Sequence, residues 1–471
     1  MASYPQNSLV YEPVQVSRRR ETDHIAEYFL LFEIVCQVAL LIPAFGAVRQ
    51  VMRIAAFGAS SLLLAIVSGK GRQHPASQPL ILVLFIMSLS LMQATTTTWS
   101  VGIAAILLNL AIVAPVFWVP ALRVDLTNMR RVLLILWAFH SVSAAVGILQ
   151  VYFPGRFQPQ IASVFAGSGN GYLQSLMIVT NSGQQVFRPM GLTDNPGGAG
   201  LAGYHVVLLG LTILVSERRR RFRMVAITTM TIGLAAIALS QQRSTLLILM
   251  TGIVAFFVLL GVRNFILSGR RTKSGQIIRR IGVAKLVTML GLVFVFALGL
   301  ALSLASKSVT ERFQTLAGGK ASDVYYSNRG YFLEETINDD LPLYPLGAGL
   351  GRWGMVNYYF GDNNNSEVPP LWAEIQWSGW LYDGGVPLIL AYVAALWMAF
   401  RVALKITLGR NPSELGVYAA FLFAYNVGAF ADTFDCPFFI GQGGLEFWFL
   451  NALLFAVAQQ ARSCDRIPAS R

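Results

Sequence analysis

The stretch Gly384-Gly-Val-Pro-Leu-Ile-Leu-Ala-Tyr-Val-Ala-Ala-Leu-Trp-Met-Ala-Phe-Arg-Val-Ala-Leu404 is apolar but for one arginine, and it follows a long polar segment, Ser306 to Asp383. A hydrocarbon core of roughly 30 Å takes about 20 apolar residues to cross as a helix. This stretch has that length, as do 28–48, 51–69, 80–98, 101–120, 132–153, 197–215, 224–240, 245–265, 286–305, 415–432 and 444–460. The runs are continuously apolar rather than alternating, which excludes a transmembrane barrel. The expected fold is therefore all-α, a polytopic membrane helical bundle of about 12 transmembrane helices. One large, mainly helical exterior loop lies between the ninth and tenth spans.

Composition agrees. The 471 residues are 55% hydrophobic and 13% charged, with a mean hydropathy of +0.56. A soluble chain carries about 25% charged residues. The expected organisation is a tail over 1–27, spans over 28–305, the loop over 306–383, spans over 384–460 and a second tail over 461–471. The first tail is polar, and no cleaved leader is expected.

Lysine and arginine set the orientation. Placing Arg18, Arg19 and Arg20 in the cytoplasm puts most of the 36 basic residues there, including Arg123, Arg130, Arg131, Arg218 to Arg221, Arg223, Arg401 and Lys405. Both termini are then cytoplasmic and the large loop is exterior and net acidic. The exception is a short turn holding Arg49 and Arg53. The net charge of +13 thus reads as topology and contact with the lipid bilayer, not as a nucleic-acid footprint. Cys36, Cys436 and Cys464 form no disulfide framework.

Three arginines fall at expected exterior boundaries, where positive charge opposes the topological bias. They are Arg188, Arg243 in Ser240-Gln-Gln-Arg-Ser-Thr245, and Arg329 in Tyr325-Tyr-Ser-Asn-Arg-Gly330. Guanidinium matches phosphate oxygens bidentately and stays charged, although each arginine could equally pair with a head group or a loop acid. In Asp194-Asn195-Pro196 the sequence carries a helix start, with an Asp or Asn cap and proline in the first turn. The amides of that helix end, beside Arg188, form a candidate anion site. Gly197, Gly198, Gly200 and Gly203 also suit close helix packing.

The loop carries Pro345-Leu-Gly-Ala-Gly-Leu-Gly351-Arg352-Trp353, a backbone turn able to meet a ligand. Beyond it, Trp372, Trp377 and Trp380 flank Glu374 and precede Asp383. Tryptophan beside a carboxylate suits a sugar, and also suits an interfacial aromatic belt. Glu374 is the candidate general base. Few polar residues fall within the spans: Glu33, His140, His205 and Glu446, a possible proton relay. No metal-ligand spacing, phosphate loop or nucleophile elbow is present, so no cofactor and no metal are expected.

These motifs, in this order, resemble the O-antigen ligase and polysaccharide polymerase superfamily of bacterial inner-membrane proteins. Arg188-Pro-Met-Gly-Leu-Thr-Asp-Asn-Pro196 is similar to the family's arginine followed by Gly-x-x-x-Asn-Pro. The turn at Arg243, the pair Arg329 and Pro345-to-Gly351, and Asp383-Gly-Gly-Val-Pro387 follow the family's later signals, all within about residues 185–405. Relatives, ligases above all, carry His-Asn where this chain reads Glu374-Ile375, which tilts the resemblance toward a polymerase. It implies transfer of a glycan from an undecaprenyl-diphosphate carrier, with no nucleotide sugar, in concert with a chain-length regulator or other export proteins. Arg188, Asn195, Arg243, Arg329, Arg352, Trp372 and Trp377 are then the substrate contacts. Ligase, transporter and assembly scaffold stay open as alternatives.

Overall fold

A computed structural model describes residues 23–67, 72–96, 98–157, 177–179, 185–268, 323, 325–361, 367–409 and 413–464. The expected span 286–305, the loop residues 306–322 and the two chain ends lie outside these residues. What is described is a helical bundle with one two-stranded ribbon, Met177–Val179 against Gln185–Phe187.

The principal helices are α1 (Ile25–Ala39), α2 (Arg49–Ile66), α3 (Ser77–Ser90), α4 (Trp99–Val113), α5 (Pro115–Trp118), α6 (Leu126–Tyr152), α7 (Gly198–Ser216), α8 (Arg220–Ser240), α9 (Arg243–Ser268), α10 (Gln376–Leu408), α11 (Ser413–Asp432) and α12 (Gln442–Cys464). Among the described residues seven helices are long and apolar enough to cross a membrane, or eight if the bent pair α4–α5 is one span. The protein is a multi-pass helical membrane protein. Its lipid-facing surface is apolar: Val35, Phe85, Val254, Val258, Leu390 and Trp397 are exposed on helix flanks.

Several expected spans are redrawn. The first, expected over 28–48, stops at Ala39 and gives way to a short 3₁₀ turn, Pro43–Val48. Proline fixes the backbone and has no N–H to donate. The short turn expected around Arg49 and Arg53 is instead the first turns of α2. The third run is helical only over Ser77–Ser90, too short to count as a full span. The fourth bends by 41° at Pro115 for the same missing donor. The shortest stretch, 224–240, proves to be most of a 21-residue helix, Arg220–Ser240.

The loop's expected boundary at Asp383 also moves. Helix begins at Gln376 and continues to Leu408, interrupted at Gly384 and Gly385, where Gly385 takes φ +67. The break absorbs Pro387, whose ring would clash with the preceding turn of an unbroken helix. Into this notch fits the glycine turn. Ala348 N donates to Tyr382 O at 2.7 Å, and Val386 N donates to Pro345 O at 3.0 Å. On its other side Leu350 N donates to Thr96 Oγ1, and Gln93 Nε2 donates to Leu346 O. Gly349, at φ +97, sits so close to Thr95 that a Cβ would lie 2.6 Å from its backbone. A side chain there costs both strain and a clash.

Close packing is tightest between α7 and α8. A Cβ on Gly203 would meet the Gly233 carbonyl oxygen at 2.3 Å, so these helices touch backbone to backbone. Dispersion and close approach, not water exclusion, hold helices together in lipid. Of the two readings of the α7 glycines, packing is the one seen here.

The bundle has two distinct ends. At one lie the glycine turn, the ribbon, the starts of α2, α7, α9 and α12, and the end of α11. At the other, Asp125 caps α6 through a reciprocal box with Asn128, worth about 1 kcal/mol. There also Asn128 Nδ2 donates to Glu27 Oε1, and Arg130 pairs with Glu217. The basic connectors thus lie opposite the loop. Single cysteines at Tyr358 and Arg219, both exposed, should react with an impermeant thiol reagent from opposite faces of sealed vesicles. Reaction of both from one face contradicts this arrangement.

Candidate functional site

Arginine clusters at the loop end. Arg329 pairs with Glu374 Oε2 through Nη1, and its Nε lies 3.9 Å from Asp435 Oδ1. Asp435 belongs to the turn leaving α11, where Tyr325 also donates its hydroxyl to Phe434 O at 3.4 Å. Trp372 Nε1 donates to the other carboxylate oxygen of Glu374 at 3.0 Å, and the Trp372 ring is 73% exposed. An open aromatic face thus stands beside a carboxylate that is fixed at both oxygens.

Arg188 enters the same locus from the end of the ribbon. Burial, then the charge of Arg329, push its guanidinium below the usual arginine value, while Asp435 acts the other way. Its Nε is buried and makes no hydrogen bond. Two like charges within electrostatic reach, one of them with a dry donor, repel each other and attract any anion that fits between them. Burial and the acids Asp432 and Asp435 hold the nearby Cys436 thiol well above its ordinary value. That makes it a poor nucleophile.

A second basic group sits alongside. Asp194 accepts from Arg53 and lies 3.7 Å from Arg49 Nη2. Arg53 also reaches Met355 Sδ at 3.7 Å, so α2, the 190s turn and the loop meet there. This arrangement corrects the expected helix cap. Asp194 is taken by arginine, Asn195 is exposed, and the cap is Gly197 in the left-handed region at φ +78. Nor do the first amides of α7 face outward. Gly198 N donates to Asn195 O, Ala199 N to Pro189 O and Gly200 N to Gly197 O. The helix end is therefore closed as an anion site, and side-chain cations carry the positive charge instead.

The other sequence candidates separate cleanly. Arg243 opens α9, immediately after Gln242, whose side chain lies against Gly197 and Gly200. It therefore flanks the Arg188 segment. Arg352 is buried, with Nη1 donating to Ala348 O and Nη2 and Nε to Pro369 O. It braces the glycine turn. Trp377 is half-buried and packs among Trp380, Phe430 and Phe434, far less open than Trp372. Asp383 accepts from Trp353 Nε1 at 2.9 Å, and Tyr382 donates to Asp340 at 2.7 Å. Both are structural.

Arg49, Arg53 and Asp435 were not singled out from sequence for this site. The first two did leave a signal, as the exception to the charge rule. Asp435 left none, because only the turn after α11 brings it to Arg329. A search of protein-family models finds no match to the chain, and a search of curated proteins finds none.

Arg352 and Arg188 should respond oppositely to truncation. Arg352→Ala removes charged donors from two carbonyls and should cost roughly 1–3 kcal/mol, read as a lower melting temperature. Arg188→Ala removes a partly buried cation repelled by its neighbour, so stability should hold or rise. A large loss of stability in Arg188→Ala would show that its role is structural.

Proposed function

We propose that the protein is a polysaccharide polymerase of the bacterial inner membrane, with both termini cytoplasmic and the loop end exterior. It transfers a glycan from an undecaprenyl-diphosphate carrier to a sugar hydroxyl of a second lipid-linked glycan. One observation carries this reading. Arg188 and Arg329 converge beside Glu374 and the open face of Trp372, and Arg188 has a buried donor that makes no hydrogen bond.

The chemistry follows from those groups. The acceptor oxygen attacks the anomeric carbon of the carrier-linked sugar, and the bond from that carbon to the diphosphate oxygen breaks. Negative charge develops on the diphosphate, where fixed guanidinium groups stabilise it without reorganising. Arg188 and Arg329 supply that charge, Arg243 flanks them, and Arg49 and Arg53 extend the basic surface. Glu374 takes the hydroxyl proton.

The Arg329–Glu374 pair couples these two roles. Diphosphate competes with Glu374 for the same guanidinium. When it binds, the carboxylate is released from Arg329 while the 3.0 Å bond from Trp372 Nε1 keeps it in place. The base is thus freed only when the leaving group is in position. A lipid-borne substrate needs a site at the membrane boundary, and helix ends provide it. Sugar contact falls to the exposed Trp372, not to Trp377.

Arg188→Ala, Arg243→Ala and Arg329→Ala should each lower polymer output by about a hundred- to thousandfold, the usual cost of one preorganised charge contact. Protein levels should not change, Lys should rescue poorly, and Arg156→Ala should be tolerated. Normal output from two of the three alanine variants removes the electrostatic argument.

Purified protein given only its lipid-linked repeat unit should make longer lipid-linked chains, and Glu374→Gln should bind carrier but not elongate it. Elongation by Glu374→Gln rejects the base. Transfer by wild type only when a different acceptor is added makes the protein a ligase, and solute uptake without glycan product makes it a transporter.

A further inference from the structure

Deeper in the bundle, three helices bring together polar groups that glycan transfer does not use. His140 of α6, His205 of α7 and Glu446 of α12 are all buried, and one donor atom from each lies within 4.8 Å of the other two. His205 Nδ1 is 2.9 Å from the Leu201 carbonyl oxygen. A carbonyl only accepts, so that nitrogen carries the hydrogen and Nε2 is left as a bare lone pair. Nε2 faces Glu446 Oε1 at 3.7 Å. Two acceptors facing each other in a dry interior repel unless a metal cation or a proton lies between them. Neither atom has a hydrogen-bond partner, and neither ring nitrogen of His140 has one.

We propose that His140, His205 and Glu446 form an intramembrane site for one divalent transition-metal ion of the zinc class. Two imidazoles and one carboxylate are the donor set such an ion prefers, whereas magnesium and calcium favour all-oxygen sites. The hydrogen bond from His205 Nδ1 to a backbone carbonyl is the outer contact that fixes a ligating histidine's tautomer. Glu33 lies within electrostatic range of Glu446, so two acids and two neutral imidazoles can balance a double positive charge.

Size is close to the requirement. An ion centred among donors no more than 4.8 Å apart sits at most roughly 2.8 Å from each, about 0.7 Å beyond a zinc–nitrogen bond. Closing that gap needs one ring to move. His140 now lies flat on His205, with centroids 4.2 Å apart and planes 8° from parallel, so its lone pairs run beside those of His205. Rotation of His140 off this stack turns a nitrogen toward the ion. The buried hydroxyls of Tyr204 and Tyr425, whose rings flank His205, also lack hydrogen-bond partners and stand ready as outer contacts. The ion ties α6, α7 and α12 together. The sequence singles out these residues but not their meeting, because each ligand sits on a different helix.

The test uses full-length protein in nanodiscs, stripped with chelator, reloaded with zinc alone and freed of excess by gel filtration. Elemental analysis should find about one zinc per chain in wild type and in His24→Ala, which lacks an exposed histidine. Retention should fall at least tenfold in His205→Ala and in Glu446→Gln. Cobalt in wild type should give the intense visible bands of a four-coordinate ion, a readout that needs no variant to fold and no glycan substrate. Wild type that retains neither metal overturns the proposal and leaves the facing pair as a proton site. So does retention unchanged in both variants.

Discussion

An arginine held partly out of water must face an anion, and the loop end of this protein is arranged around that requirement. Arg53 and Arg49 share Asp194, and Arg329 has Glu374 and, at longer range, Asp435. Arg188 has only the more distant charge of Asp435. It stands near Arg329 with a buried nitrogen that makes no hydrogen bond. The surrounding architecture holds these charges together. The glycine turn locks into the broken helix at Gly384, and Arg352 braces that turn through two carbonyls. Through Leu371 N, which donates to Arg352 O, the braced turn also holds the segment that leads to Trp372 and Glu374.

The same principle runs in reverse within the membrane. Apolar side chains face outward to lipid, while the interior carries paired amides, such as Asn426 with Asn451, and Tyr392 donating to Asn109. Polar groups in a dry bundle are costly unless satisfied, so each pairing fixes which helices meet. The His140–His205–Glu446 cluster departs from this pattern because its buried polar atoms face one another without a hydrogen bond. Cation-poor inside and cation-rich at the loop end, the two polar regions pose opposite electrostatic problems.

The membrane helices were legible because length and continuous apolarity are local properties. Helix ends were less so: Ala39 and Ser90 stop their helices early, for reasons that lie in Pro43 and in the turn that receives the loop. In the site, Arg329 and Arg352 look alike in sequence, as do Trp372 and Trp377. Only folding shows that Arg352 is buried where Arg329 is not, and that Trp377 is half-buried where Trp372 is open. Asp194 read as a helix cap because the local pattern is right, yet an arginine more than a hundred residues away claims it. Arg49 and Arg53 were visible as misplaced charge, and their partner explains why they stand there.

The central claim is that Arg188 and Arg329 together form a diphosphate site, and binding tests it more directly than turnover. Wild type in nanodiscs should retain undecaprenyl diphosphate at least a hundredfold more tightly than Arg188→Ala/Arg329→Ala, on the order of two charged contacts. It should bind the monophosphate more weakly than the diphosphate. Equal affinity of wild type and the double variant for undecaprenyl diphosphate would contradict the account.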